Sequence, residues 1–261
     1  MNLSLENKTA VVCGSTQGIG LASAMELSEM GANCVLVART EEKLKTAIKS
    51  LTNNGTQKHS YLVADFSNPS SLKEIIGNWA KENTAHILIN NTGGPKGGPI
   101  QAAEIEEFTN TFNQHLVCNH IMVQALKEGM KSAGYGRIVN IISTSVKQPL
   151  DGLGVSNTIR GAVANWSKTL ANELGVDNIT VNNVLPGATN TVRLSSIIEN
   201  KAAKTGQAKE DILQNMANQS PMKRIAEPEE VANAVAFLCS PAASYINGIN
   251  VPVDGGRTKS L

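Results

Sequence analysis

Aromatic residues are scarce in this chain: Phe, Trp and Tyr together make up 3% of 261 residues. The core must therefore be built mainly from Val, Ile, Leu, Ala and Met. Charge of one sign is missing too. The formal net charge is +1, and no long basic or acidic run stands out, so a nucleic acid or a membrane surface has no electrostatic support as partner. No apolar run approaches the length of a membrane span. The stretch Met1 to Glu6 lacks a basic segment followed by an apolar one, so no signal peptide is expected. There are four cysteines, Cys13, Cys34, Cys118 and Cys239, and none stands in a Cys-x-x-Cys pair. Cys13 and Cys34 fall in apolar runs, where cysteine behaves as a small hydrophobe. Reduced, buried thiols in a cytoplasmic protein are the expectation, rather than a metal site or a disulfide framework.

What is present is globular composition, 41% hydrophobic and 17% charged, enough for a sizeable core. Short apolar runs recur at Thr9–Cys13, Cys34–Ala38, Tyr61–Ala64, Ile87–Ile89, Ile138–Ile142, Ile179–Val184 and Ile249–Val253. Their length and continuous apolar character predict strands covered on both faces, as in a parallel sheet. Between them, helices are predicted over Gly18–Met30, Glu41–Leu51, Ser70–Lys81, Ile105–Lys131, Ser156–Leu174 and Pro228–Leu238. Gly31 supplies a stop signal, and Asn68-Pro69 a start signal. Strand–helix alternation with right-handed crossovers gives an α/β fold: a Rossmann-type, doubly wound parallel sheet of about seven strands, three-layered and in a single domain. The stretch from Val192 to Ser220 is polar, with weaker periodicity. It reads as a helical flap over a site, or as a solvated surface helix pair.

Gly14-Ser15-Thr16-Gln17-Gly18-Ile19-Gly20 follows the first strand and opens the first helix. Glycines there let the backbone turn sharply and approach a pyrophosphate, while the free N–H groups of the helix N-terminus favour its charge. This G-x-x-x-G-x-G spacing resembles that of the short-chain dehydrogenase/reductase family. Asn90-Asn91-Thr92-Gly93 is similar to the family's segment after the fourth strand. Asp65, in Ala64-Asp65-Phe66, matches its adenine-contacting Asp. The run Pro186-Gly187-Ala188-Thr189-Asn190-Thr191 resembles the segment whose last Thr contacts the carboxamide. Pro228–Ala232 and Val253–Gly256 resemble its C-terminal pattern, so the likeness spans nearly the whole chain. It implies a nicotinamide dinucleotide held by residues 14–20 with Arg39, Asp65, Phe66, Asn91, Thr92, Gly93, Arg160, Pro186, Gly187, Thr189 and Thr191. Arg39, at the end of the second strand, suits the 2′-phosphate of NADP(H) better than the 2′-hydroxyl of NAD(H). The alternative is a solvated Arg39, with Glu41 or Glu42 approaching the ribose.

The catalytic positions depart from the resemblance. The family places a Ser after the fifth strand, then a Tyr and a Lys on the following helix, and an Asn on the preceding one. Ser143 takes the first role, but Ser156 and Arg160 stand where Tyr and Lys are expected. His115 falls on the Asn position; Asn113 would need a two-residue shift. The only tyrosines are Tyr61, Tyr135 and Tyr245, none in the expected region. A Ser hydroxyl is far less acidic than a phenol, and Arg stays protonated, so the usual relay is not expected. Three readings follow. The first is an NADP(H)-dependent oxidoreductase of a carbonyl or alcohol, with Ser143 and Arg160 stabilising the alkoxide and His115 or Lys147 feeding a proton through water. For His115 the alternative is a helix residue satisfied by a hydrogen bond, for Lys147 a solvated loop cation, and for Ser156 a small residue that leaves space. The second is a dinucleotide-binding sensor or partner subunit with little redox activity, and the third a non-redox enzyme on the same fold. The retained cofactor segments favour the first. The overall pattern is similar to proteins of the 3-oxoacyl-acyl-carrier-protein reductase type. By the same resemblance, the helices Ile105–Lys131 and Ser156–Leu174 imply a homotetramer or homodimer. The glycine-rich turn Gly93–Pro99 is expected beside the nicotinamide.

Overall fold

The computed structural model describes residues 1–260. Its strands are β1 (Thr9–Cys13), β2 (Asn33–Ala38), β3 (Ser60–Val63), β4 (Ile87–Asn90), β5 (Gly136–Ile141), β6 (Ile179–Pro186) and β7 (Asn250–Val253). They form one sheet in the order β3-β2-β1-β4-β5-β6-β7, and every pairing is parallel. Each apolar run has become a strand, with ends shifted by at most two residues. The shifts arise because pairing continues past the apolar stretch, as where Gly136 and Arg137 pair with Ile179 and Thr180.

Burial on both faces explains the continuous apolar character. Successive strand side chains point to opposite sides. Val12, Leu36 and Ile89 therefore join one core with Leu27 of α1 (Gly18–Glu29) and Val231 of a C-terminal helix. Val11, Val35 and Leu88 join the other, with Leu72, Met122 and Leu170 from three helices on the opposite face. After α2 (Glu41–Ile48) comes α3 (Pro69–Glu82), which opens as expected: Asn68 Oδ1 accepts from the Ser71 N–H at 3.1 Å, and Pro69 is the first helical residue. Gly31 follows α1 with φ of 98°, a left-handed turn that suits glycine.

The long helix expected over Ile105–Lys131 is present and continues to Ser132, with one wide turn inside it. It runs as α4 (Ile105–Phe112), a π-helical turn (Asn113–Val117) and α5 (Cys118–Ser132). Hydrophobic periodicity does not resolve such a wide turn, because the sequence on either side keeps the same buried stripe. The chain continues through α6 (Gly154–Leu174). The polar stretch after β6 forms α7 (Val192–Thr205) and α8 (Lys209–Asn218), and α9 (Pro228–Cys239) follows. Leu194, Ile198 and Ile212 make a small cluster of their own, separate from the two sheet cores.

Inside the apolar sheet runs a polar line. Asn90, Asn140, Asn183 and Asn250 are register partners on β4 to β7. Each amide donates to the next: Asn90 Nδ2 to Asn140 Oδ1 at 2.9 Å, Asn140 Nδ2 to Asn183 Oδ1 at 2.9 Å, and Asn183 Nδ2 to Asn250 Oδ1 at 2.8 Å. Asn140 is fully buried, so its partners have no water to turn to. Asn140→Ala leaves a donor on Asn90 and an acceptor on Asn183 unpaired. The expected cost is about 2–5 kcal/mol, read as a lower urea midpoint at unchanged slope.

Candidate active site

β1 is flanked by β2 on one side and β4 on the other. The chain winds outward in both directions from that point, so a crevice opens beyond the carboxyl ends of β1 and β4. The glycine loop lies there. The Gly14 N–H donates to the Val37 carbonyl at 2.9 Å, and Asn91 Nδ2 reaches the Cys13 and Gly14 carbonyls at 3.3 and 3.2 Å. A Cβ on Gly20 would stand 2.2 Å from the Gly14 carbonyl oxygen, and one on Gly14 2.5 Å from that of Asn91. No side chain fits at either place. Asn91 therefore braces the loop, a role that its motif alone did not specify.

The loop delivers α1 with its N-terminus open. Gln17 is extended, and its side chain makes no capping bond. The buried Ser15 hydroxyl lacks a partner among the described residues. Uncapped N–H groups, an orphaned hydroxyl and no first-turn carboxylate suit an anion such as a pyrophosphate. Thr191 comes to the same place from the far side: its Cγ2 would lie 3.1 Å from a Cβ on Gly18. Its Oγ1 also accepts from the Leu194 N–H at 3.3 Å, capping α7. Pro186 ends β6, Gly187 pairs with the Val253 carbonyl at 2.9 Å, and Thr189 Oγ1 donates to the Gly187 carbonyl at 3.2 Å.

At the other end of the crevice Arg39 is exposed just beyond β2. Asp65 is exposed beyond β3, with Oδ1 accepting from the Ser67 N–H at 2.9 Å. That bond holds the Asp65 carboxyl below the usual range, and the charge of Arg39 acts the same way. Phe66 and Ile19 turn their side chains toward the two cores. Any contact of these two with a ligand is thus limited to backbone and side-chain edges.

Ser143 follows β5, Ser156 and Arg160 lie on α6, and His115 lies in the π turn. Ser143 is partly exposed and accepts from the Ser145 N–H at 3.1 Å, leaving its own O–H free to donate. Arg160 is buried, and its Nη1 donates to the Ile141 carbonyl at 2.9 Å, two residues before Ser143. Burial pushes the guanidinium down to about 10, aided by the charge of Arg193, so it remains protonated at neutral pH. Ser156 stands partly exposed one helical turn before Arg160. The π turn aims His115 inward, at 1% exposure, whereas Asn113 stays partly exposed. His115 Nδ1 and Thr92 Oγ1 are 2.6 Å apart. Burial, and then the charge of Arg160, pushes the imidazole down to about 2. The tyrosines lie elsewhere: the Tyr135 hydroxyl donates to the Cys239 carbonyl, that of Tyr61 to Glu41, and Tyr245 is fully exposed.

Outside these residues lies a cavity of about 1300 Å³. Lys96–Pro99, the loop Gln148–Leu153, α7, α8 and Arg257–Lys259 line it. Sequence reasoning missed Arg193, whose Nη2 donates to the Pro95 carbonyl. The signal was available in the spacing of Arg193, Ile197, Asn200, Lys201 and Lys204, which puts them on one helical face. Among the described residues, no group of three or more His, Cys, Asp or Glu is placed to hold a metal. Nor is any described helix long and apolar enough to cross a membrane.

A doubly wound sheet with an open helix N-terminus at its switch point defines a dinucleotide-binding fold. A family model described as enoyl-(acyl carrier protein) reductase matches residues 14–258. The NADPH-dependent reductase BacG of Bacillus subtilis is 30% identical, over 98% of this chain and 100% of its own. The 3-oxoacyl-[acyl-carrier-protein] reductase FabG of Chlamydia trachomatis is 30% identical, over 97% of this chain and 98% of its own. L-Sorbose reductase from Gluconobacter frateurii, solved with NADPH and L-sorbose, superposes with a TM-score of 0.93 at 33% identity, covering 100% of both chains. The chain belongs to the short-chain dehydrogenase/reductase family.

The neutral state of His115 sets a pH dependence. Its ordinary value is 6.5 and its folded value about 2. Below pH ~6.5 the unfolded chain takes up a proton there and the folded chain does not. Stability from this group is therefore complete above ~6.5 and falls as pH drops towards ~2, by at most ~1.4 kcal/mol per pH unit. His115→Gln is expected to flatten the decline between pH ~6.5 and ~5 in urea unfolding; an unchanged slope contradicts a neutral imidazole.

Proposed function

We propose that this protein is an NADPH-dependent oxidoreductase that interconverts a carbonyl compound and its alcohol without the family's tyrosine. One observation carries the reading: an uncapped, glycine-braced helix N-terminus and the buried guanidinium of Arg160 share the same edge of the sheet. Relatives support the cofactor, since BacG is named NADPH-dependent and the sorbose reductase was solved with NADPH.

In this reading the loop Gly14–Gly20 holds the pyrophosphate, and the orphaned Ser15 hydroxyl finds an acceptor there. Arg39 takes the 2′-phosphate, and Asp65 lies by the adenine. Asn91, Thr92 and Gly93 line the middle of the site, with Pro186, Gly187, Thr189 and Thr191 at the carboxamide end. Bound NADPH supplies the hydride. Ser143 and Arg160 donate to the substrate oxygen and stabilise the charge that grows on it. Arg160 keeps its own proton at neutral pH, so the proton reaches the oxygen from water in the space that Ser156 leaves. His115 is a positioning residue: neutral and buried, it orients Thr92 and borders Arg160. The helices α7 and α8 form the flap. The four free, buried thiols fit a reducing cytoplasm. The exposed Ile105 and Phe112 of α4 fit a homotetramer or homodimer.

A second reading has one specific support, the missing phenol. If the substrate is a carbonyl conjugated to a C=C bond, hydride adds to the far carbon, and Arg160 holds an enolate that water protonates on carbon. The family model's description names an enoyl substrate. Deuterium-labelled NADPH separates the two: label on the carbinol carbon means carbonyl reduction, and label on the β-carbon means alkene reduction. A sensor or a non-redox enzyme oxidises no NADPH with a carbonyl or enone panel and reduces no NADP⁺ with an alcohol panel.

Two outcomes are expected. NADPH binds about 10–100-fold more tightly than NADH, and Arg39→Ala removes the difference in calorimetric titrations. Arg160→Met, checked for fold by circular dichroism, lowers kcat by about 10²–10³-fold. Equal affinities in the unmodified protein, or full turnover in Arg160→Met, contradict the assignment.

A further inference from the structure

The cavity wall is unbalanced in charge. Lys96, Arg193, Lys201, Lys204, Arg257 and Lys259 line it, against a single carboxylate, Asp151. The whole chain carries 23 Lys and Arg and 22 Asp and Glu, so the excess is local and not a reflection of composition. Among the described residues, none of the six cations is in an ion pair. The cations that do pair, Lys45, Lys127, Lys131, Lys209 and Arg224, all lie off this wall.

The arrangement is built by α7. Leu194 and Ile198 bury one side of this helix, which turns Arg193, Lys201 and Lys204 to the cavity. Arg193 is anchored by its bond to the Pro95 carbonyl, which leaves other guanidinium donors uncommitted. The dinucleotide's phosphates do not account for this charge, because the glycine loop, Arg39 and Asp65 are not part of this wall. Six like charges around one space repel one another, and an anionic ligand relieves that repulsion. Such a field also steers anions towards the cleft.

We propose that the substrate carries a carboxylate or a phosphate monoester, bound by Arg193 with Lys201 and Lys204, at a distance from the carbonyl addressed by Ser143 and Arg160. The proposal rests on the oxidoreductase reading for the carbonyl and on the cavity alone for the anion. Arg193 is the specific element, since its planar fork matches both anions. The lysines supply field, which salt screens over about 8 Å at physiological strength.

Matched pairs test it: acetoacetate against methyl acetoacetate, levulinate against methyl levulinate, and dihydroxyacetone phosphate against dihydroxyacetone. NADPH oxidation gives kcat/KM for each, and calorimetry on the protein saturated with NADP⁺ gives affinity without turnover. The anionic member of at least one pair is expected to win by tenfold or more, mainly through KM, with the advantage shrinking as salt rises. The carboxylate and phosphate pairs tell the two anions apart. In R193M, and in K201M/K204M, the anion-to-neutral ratio is expected to fall by tenfold or more. Anion binding that these substitutions weaken, with no NADPH oxidation for any pair, upholds the anion site and sinks the redox reading. Neutral partners that match the anions, anion binding that the substitutions leave untouched, or no anion bound at millimolar concentration each overturn the proposal.

Discussion

Everything at the switch point depends on one backbone approach. The Gly14 carbonyl, the Gly20 Cα and the Asn91 amide occupy the same small space, with no room for a Cβ at either glycine. That contact ties β1, α1 and β4 together at the crevice. It also fixes where the uncapped N–H groups of α1 point. A helix N-terminus carries partial positive charge because its donors are unsatisfied, and the tight turn is what leaves them free. The glycines are therefore required by distance as well as by the left-handed φ of Gly14 and Gly18.

A second constraint runs through the sheet. Four asparagines in register replace apolar side chains between β4 and β7, and each satisfies the next. Buried amides tolerate few geometries, so the line favours one strand register over its neighbours. It starts at Asn90, one residue before the bracing Asn91. The polar line and the cofactor crevice thus share a strand end, and a slip in one would displace the other.

Beyond β5, a guanidinium that stays charged acts on a buried imidazole that stays neutral. Arg160 helps keep His115 neutral, since the guanidinium penalises a second positive charge nearby. Such a pair can hold a negative oxygen but is a poor source of protons. The cations of α7 extend the same sign outward along the cavity. From the buried guanidinium to α7, cations outnumber carboxylates.

The sequence by itself determined the seven strands, most of the helices and the glycine loop, because apolar period and turn residues act within a few positions along the chain. It also placed Ser156 and Arg160 at the spacings from Ser143 where the family resemblance expects Tyr and Lys. The π turn at Asn113–Val117 was not legible, because it preserves the flanking buried stripe. Nor was the bracing by Asn91, the asparagine line or the company of His115, since these join residues far apart in the chain. Only tertiary structure decided how deep Arg160 and His115 lie, and burial keeps the His115 imidazole neutral while Arg160 stays charged. The same holds for the cations: a near-neutral chain gathers six of them on one wall only once α7, α8 and the C-terminal residues fold over the carboxyl end of the sheet.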